Sequence, residues 1–346
     1  MKAVLLMRVP YYSFALIQAQ KPLPSPPPIN FTFFIFHFTF ASAMCILVTG
    51  SSGTIGTRLA EKFLEKGISF MGIDRRENVW LPGVDEKTIH VDLLNPDWGK
   101  EVKEKPDLII HLAANARVYK LTENPRLALE NMQTTFSILE YARRNDVTKL
   151  ILASSREVYG SREEGLCEED DTSIERCENP YTASKVALET FARSYTHCYN
   201  LVIVIIRYSN VYGMYDDSDR VVPLFIRRAR KGEPLVVYGR GKTLDFTHID
   251  DAVKGTLAVM DCLHNVAGET FNIATGTGTQ IADVATRIAA AYGGKSAVEA
   301  RPNRAGEVMR CVCDVRRAKE ALGYEPTTGV EEGIEHTIAW YDTHDQ

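Results

Sequence analysis

Tyr181 and Lys185 lie in NPYTASK, and Ser155 lies 26 residues before the tyrosine, in SSREVYG. A phenol beside a fixed ammonium can lose its proton near neutral pH. Such a phenolate can take the proton of a sugar hydroxyl while a hydride leaves the same carbon. The spacing of Tyr181 and Lys185 is i, i+4, which on a helix places both on one face. Ser155, ending an apolar run, is placed to orient the substrate hydroxyl. The set points to nicotinamide chemistry on an alcohol.

A hydride acceptor needs a cradle, and GSSGTIG supplies a candidate. Gly50, Gly53 and Gly56 form G-x-x-G-x-x-G, after an apolar run and before a helical pattern, with Ile55 inside the loop. Glycines there permit a tight turn and close approach of a pyrophosphate to backbone amides. Asp74 follows Gly56 by 18 residues, where an acid accepts hydrogen bonds from an adenosine ribose. That acid favours NAD over NADP, although Arg75 beside it can stack on adenine or meet a phosphate. Asp92 and Leu93, expected at the end of a third strand, border the adenine in this reading. Ala113 and Ala114 leave room for the dinucleotide backbone.

The elements that must hold these residues alternate. Strands are expected over 45–49, 68–74, 88–93, 107–114, 149–155 and 201–209, with helices over 55–66, 124–144 and 181–199. Strands apolar on both faces, alternating with helices, specify an α/β fold: a Rossmann-type doubly wound parallel sheet. After Asn210 the elements shorten. Helices are expected near 223–231, 250–263, 278–291, 314–322 and 329–343, and strands at 235–239 and 271–274. The organisation is therefore an NAD-binding domain over 44–210 and a mainly substrate-binding cap over 211–346, with some late elements returning to the sheet. The stretch 161–178 carries eight acidic residues and reads as a surface loop.

Composition narrows the partners. The formal net charge is -5, with no broad basic footprint, so nucleic acid is not an expected partner. The seven cysteines lack metal-ligand spacing; they read as reduced thiols of a cytoplasmic protein, with no metal. Residues 1–43 differ from the rest, with KPLPSPPPIN and then FTFFIFHFTF. Because 45–49 is needed as the first strand, the apolar run is too short to span a bilayer. These residues read as a dispensable extension, with Met44 opening the domain, and a membrane role is not expected.

The motifs VTGSSGTIG, HLAA (111–114), SSREVYG, YTASK, RYSNVYG (207–213) and LDFTHIDD (244–251) run in one order along 44 to about 343. In this the chain resembles the extended short-chain dehydrogenase/reductase family, the nucleotide-sugar epimerases and dehydratases. The resemblance implies bound NAD and a nucleoside-diphosphate sugar as substrate. It assigns Ser155, Tyr181 and Lys185 to catalysis, and Asn131 and Tyr208 to the cofactor's surroundings. It assigns Asn210 and Arg304 to the sugar nucleotide's diphosphate, and Cys311 to a position beside the sugar, where a buried strand cysteine is the equal alternative. Glu157 stands where similar dehydratases and decarboxylases place a glutamate. Arg156 stands where one class of 4,6-dehydratases has an aspartate, which a guanidinium cannot replace as an acid. Leu244 occupies the place of a usual arginine, with Arg240, Lys242 or Arg220 as substitutes for its charge.

The resemblance favours a 4-epimerase of a UDP-hexose, UDP-N-acetylhexosamine or UDP-glucuronate acting through a 4-keto sugar. A GDP-mannose-like 4,6-dehydratase and a UDP-glucuronate decarboxylase are the alternatives. An NAD-sensing scaffold is the non-enzyme alternative. A homodimer is implied through 124–144 and 181–199, with Met132, Phe136, Leu188 and Phe191 divided between the seam and packing on the sheet.

Overall fold

The computed structural model describes residues 44–344; the expectations for residues 1–43 lie outside the described residues. The strands are β1 Ile46–Thr49, β2 Phe70–Asp74, β3 Thr88–His90, β4 Leu108–His111, β5 Lys149–Ser155, β6 Val202–Tyr208, β7 Asn210–Tyr212, β8 Leu235–Tyr238, β9 Thr243–His248, β10 Thr270–Ile273, β11 Gly278–Gln280, β12 Val298–Arg301 and β13 Arg310–Cys311. The helices are α1 Thr54–Lys66, α2 Pro82–Asp85, α3 Val118–Glu123, α4 Arg126–Arg144, α5 Pro180–Tyr199, α6 Val221–Arg230, α7 Ile249–Cys262, α8 Ile281–Ala291, α9 Arg316–Leu322 and α10 Val330–His344.

Seven strands form one parallel sheet in the order β10-β6-β5-β4-β1-β2-β3. Alternate residues feed two cores. Ile46, Val48, Ile110, Ile151 and Val204 face α1 and α7, where Leu59, Phe63 and Val253 cover them. Leu47, Ile109, Leu150 and Ile203 face α4 and α5, where Ile138, Leu139, Leu188 and Ala192 cover them. Burial of this apolar surface is what makes both faces of the strands apolar, at roughly 25 cal/mol per Å² removed from water. The strand order reverses at β1, between β2 and β4, so a crevice opens at the carboxyl ends there.

Helix α1 starts at the glycine loop and ends where Gly67 takes a φ of 65°, its N–H meeting the carbonyls of Phe63 and Leu64. The elements after Asn210 build a second layer. Strands β11, β9 and β13 form a small sheet that β7 joins through β9, and β8 pairs with β12. Phe225 and Ile226 of α6, Leu244 and Phe246 of β9, and Val284 and Ile288 of α8 make its core.

Several expectations shift. The third strand stops at His90, so Asp92 and Leu93 follow it in a turn rather than end it. The acidic stretch 161–178 is not wholly at the surface: Cys167 and Glu169 are buried, and the backbone of Cys167 forms an isolated parallel β-bridge with that of Cys313, both thiols being free. Glu169 accepts from the Asn272 backbone N–H at 2.9 Å, which draws the loop onto the end of β10. Of the four apolar residues expected to divide between seam and sheet, Leu188 packs in the sheet core, whereas Phe136 is exposed and its ring centroid lies 6.0 Å from that of Phe191. Among the described residues, no helix is long and apolar enough to cross a membrane.

Candidate active site

One cleft of about 1040 Å³ runs along the carboxyl edge of the sheet and under the second layer. Every residue assigned above to cofactor, sugar or chemistry lines it, except Cys311. Cys311 is fully buried beneath the cleft wall, its sulfur 3.3 Å from that of Cys167 and 3.9 Å from the Arg156 carbonyl. Of the two readings of Cys311, the buried strand cysteine is the one found: β13, paired with β9, turns it into a thiol cluster rather than toward the sugar.

The glycine loop builds the first wall. Gly50 has a φ of 76°, and a Cβ there would sit 2.8 Å from the Ala113 nitrogen. A Cβ on Gly56 would lie 2.0 Å from the Gly50 carbonyl oxygen. Helix α1 begins at Gly53 with no side-chain cap and no acid in its first turn, so its leading N–H groups keep their affinity for an anion. Asp74 Oδ2 accepts from the Ser52 N–H at 3.1 Å and Oδ1 from the Arg76 N–H at 2.9 Å, so this carboxylate also holds the turn. Arg75 reaches Asn115 Oδ1 at 3.4 Å and Asp92 at 3.8 Å across the rim. Ala113 donates its N–H to Thr49, and Ala114 is exposed in the cleft.

Two residues of the cofactor set have their polar groups engaged elsewhere. Asn131 accepts from Asn115 N–H at 2.7 Å and donates to Asn115 carbonyl and Ser184 hydroxyl, so it braces the segment after β4. The Tyr208 hydroxyl is hydrogen-bonded to Thr256 of α7 at 2.6 Å. The backbone-lined cradle and the uncapped α1 fit a dinucleotide's pyrophosphate on geometry alone.

The reactive groups stand where β5 meets α5. Asn179 caps α5 by accepting from the Thr182 N–H at 2.8 Å, with Pro180 in the first turn. That cap holds Tyr181 over the end of β5, beside the Ser155 hydroxyl. Burial pushes the Tyr181 phenol up; the Ser155 hydrogen bond pulls it down, Glu157 opposes, and Arg220 and Arg156 pull down. Lys185 Nζ donates to the Ala153 carbonyl at 2.7 Å and lies 5.8 Å from the Tyr181 ring centroid. Arg220 and Arg156 thus join Lys185, which lies over the ring, as cations around the phenol. Burial lowers the Lys185 ammonium to about 8, and Glu189 works against that fall.

The far wall is charged. Arg156 Nη2 pairs with Glu157 Oε1 at 2.6 Å and donates to Asn210 Oδ1 at 3.2 Å. The Glu157 N–H donates to Ser155 Oγ at 3.2 Å, which fixes the turn. Asn210 donates to the Asp245 carbonyl at 3.1 Å. Arg304 lies over the rings of Tyr238, at 3.9 Å, and Tyr119, at 4.8 Å. Of the three substitutes for the charge missing at Leu244, Lys242 and Arg220 line the cleft and Arg240 does not. Lys242 Nζ pairs with Glu307 at 2.7 Å.

Some groups escaped the sequence reading. Arg117 and Tyr119 both bond Asp219, joining the segment after β4 to the loop before α6. Their signal was proximity to HLAA. Behind Lys185, Glu189 accepts from Ser154 Oγ at 2.5 Å and from Arg207 at 2.9 and 2.6 Å. Arg207 also donates to the Tyr159 hydroxyl at 2.9 Å. The signals were a lone arginine in the apolar strand 201–209 and an acid one turn beyond Lys185.

Residues 46–274 match the model of the NAD dependent epimerase/dehydratase family. The UDP-glucose 4-epimerase of Mycolicibacterium smegmatis is 31% identical over 317 residues, covering 88% of this chain and 100% of the relative. The UDP-N-acetyl-alpha-D-glucosaminuronate decarboxylase of Bacillus cytotoxicus is 31% identical over 314 residues, covering 85% and 97%. The crystal structure of Thermus thermophilus UDP-glucose 4-epimerase in complex with NAD superposes with a TM-score of 0.80 at 31% identity, covering 87% of this chain and 99% of that one.

Proposed function

This chain belongs to the NAD-dependent epimerase/dehydratase family, and we propose that within it the protein is a nucleotide-sugar 4-epimerase that uses NAD. The observation that carries this reading is the meeting of Ser155, Tyr181 and Lys185 in the cleft that the glycine loop lines.

Gly50, Gly53, Ile55 and Gly56 hold the pyrophosphate of NAD in this reading, with Asp74 and Arg75 at its adenosine end. When bound, NAD supplies the acceptor and donor of hydride at the sugar's C4. Tyr181 takes the proton of the 4-hydroxyl and returns it to the oxygen of the 4-keto sugar. Ser155 orients that oxygen, and Lys185, anchored on the Ala153 carbonyl, holds the floor beneath the phenol. Arg304, Asn210 and Arg220 bind the diphosphate at one end. Leu244 leaves the diphosphate without the usual arginine, and Arg220 and Lys242 are the cleft cations that replace its charge.

The test is incubation of the purified protein with UDP-glucose, UDP-N-acetylglucosamine, UDP-glucuronate and GDP-mannose, read by NMR. A C4 epimer is expected. Water loss would establish the 4,6-dehydratase instead, and carbon dioxide with a pentose product the decarboxylase. Tyr181→Phe should lower turnover by roughly 10²–10⁴-fold while NAD stays bound. Turnover that persists would show that another group is the base.

A further inference from the structure

The loop from Gly213 to Arg220 leads from β7 to α6 along the cleft. Its root is fixed. Tyr215, at a φ of 63°, donates its hydroxyl to Glu61 Oε1 at 2.9 Å. The Tyr341 hydroxyl accepts from the Asp216 N–H at 3.2 Å and donates to the Asp216 carbonyl at 2.5 Å. Further along the loop, Asp219 reaches across to the segment after β4. There Arg117 Nη2 donates to its Oδ1 and the Tyr119 hydroxyl to its Oδ2, with Lys120 Nζ 3.9 Å from Oδ1. The Tyr119 ring lies under Arg304, and Arg220 follows Asp219 in the chain. Cations thus crowd about one carboxylate, whose side chain is 37% exposed. Burial lowers the Arg117 guanidinium to about 10; Arg220 and Arg227 add to the fall, and Asp216 and Tyr119 oppose it. Arg117 Nε is buried with no hydrogen-bond partner, so this guanidinium keeps an unused donor.

We propose that Asp219 is an internal counter-ion on a phosphate site: its carboxylate holds Arg117 and Tyr119, and the diphosphate of a nucleotide sugar displaces it and takes both donors. The proposal rests on the nucleotide-sugar reading above. A diphosphate offers what the carboxylate offers, negative charge and acceptor oxygens, and more of both. Arg220 and Arg304, assigned above to the diphosphate, adjoin this pair in the cleft. A diphosphate held by them stands against Asp219, and like charges repel strongly where water is excluded. The exchange removes that repulsion. Asp219 turns to solvent on a loop whose root stays in place, and Arg117 and Tyr119 turn to phosphate oxygens. Arg117 carries Nε and Nη2 on one edge, a fork that fits two phosphate oxygens, whereas the carboxylate engages Nη2 and leaves Nε unmet. A contact inside the protein thereby sets the affinity for the nucleotide sugar low.

The test is calorimetric titration of the NAD-loaded protein with UDP-glucose and GDP-mannose, the tighter of the two serving throughout. Asp219→Asn keeps the shape and removes the charge, and should tighten binding by about tenfold. Arg117→Met should cost less than about threefold in the wild type, where the lost phosphate contact is offset by an ion pair that no longer has to break. In the Asp219→Asn protein nothing offsets that loss, and the same change should cost about tenfold. Tyr119→Phe should repeat the pattern on a smaller scale, and it serves in both backgrounds if Arg117→Met does not fold. Binding that is unchanged or weaker in Asp219→Asn overturns the proposal. So does an equal cost of Arg117→Met in the two backgrounds, which would mark the gain as the removal of a distant charge. Epimerisation is read separately by NMR and stands or falls apart from either result. The expected binding pattern without a C4 epimer overturns the epimerase reading and leaves this one standing. Failure to bind either nucleotide sugar sinks both.

Discussion

The two walls of the cleft are made of different material. The cofactor wall is backbone: a seven-residue glycine loop whose Gly56 leaves no space for a Cβ beside the Gly50 carbonyl. The sugar wall is side-chain charge gathered from distant segments. Its ions are paired internally, as Arg117 with Asp219, Arg156 with Glu157, Lys242 with Glu307 and, at 3.7 Å, Arg304 with Glu307. A backbone wall fits one shape and tolerates no change. A wall of ion pairs can exchange partners when a ligand arrives, so single substitutions there should alter affinity without dismantling the site.

Gly56→Ala is the harshest test of that contrast. Its Cβ would lie 2.0 Å from the Gly50 oxygen and 2.8 Å from the Gly50 carbon, both backbone atoms that cannot rotate away. Loss of more than ~4 kcal/mol of stability is expected, with loss of NAD. Denaturant unfolding and the nucleotide released on denaturation read both. A variant that keeps NAD and stays within ~1 kcal/mol of the wild type would break the comparison. Arg304→Ala probes the other wall and should do far less to the fold. The side chain is 37% exposed and its ion pair with Glu307 is long, so the loss of that pair and of its contacts with the Tyr238 and Tyr119 rings should cost no more than about 1–2 kcal/mol. Loss of its charged contact with the diphosphate should weaken nucleotide-sugar binding by roughly 10- to 100-fold, with NAD content unchanged. Calorimetric titration measures it. Equal binding would remove Arg304 from the substrate wall.

The same contrast governs what could be read from the chain. Local physics builds the cofactor wall: both-face apolar strands, a glycine loop, and a helix closed by Gly67. Strand β5 and helix α5 accordingly fall at the expected residues, to within one position. The sugar wall depends on pairing between distant short strands. β7, β11 and β13 have two or three residues each, too few for an alternation to show. β9 has six, but its TLDFTH mixes Leu244 and Phe246 with a buried Asp245 that bonds Thr275 and Gly276. No periodicity announces a strand whose acid points inward. Cys311 stayed open between sugar and core for that reason: its side depended on the register of β13 against β9, which only the folded chain sets. Likewise, the meeting of Arg220 and Arg156 with Tyr181 in one cleft follows from how distant loops converge.

Both walls share a floor, and its electrostatics offer the smallest and most specific test. His111 ends β4, 2% exposed, with Nδ1 2.7 Å from Thr49 Oγ1 and Nε2 3.4 Å from Thr135 Oγ1. Burial lowers its pKa to about 3, and the Lys185 ammonium adds to the fall. In the unfolded chain the ring titrates near 6.5. Between those values the unfolded state binds the extra proton, so stability is lost as pH falls below about 6.5. The full slope is ~1.4 kcal/mol per pH unit, and from pH 7 to pH 5 this one group should remove roughly 2 kcal/mol. His111→Asn should flatten that part of the pH dependence, whatever it does to stability at pH 7. Urea unfolding of both proteins at pH 7 and pH 5 gives the difference. An unchanged slope would mean that the ring takes up its proton in the folded state, placing a second cation beside Lys185. The floor would then favour anionic ligands in its own right, and the division between a neutral cradle and a charged wall would no longer hold.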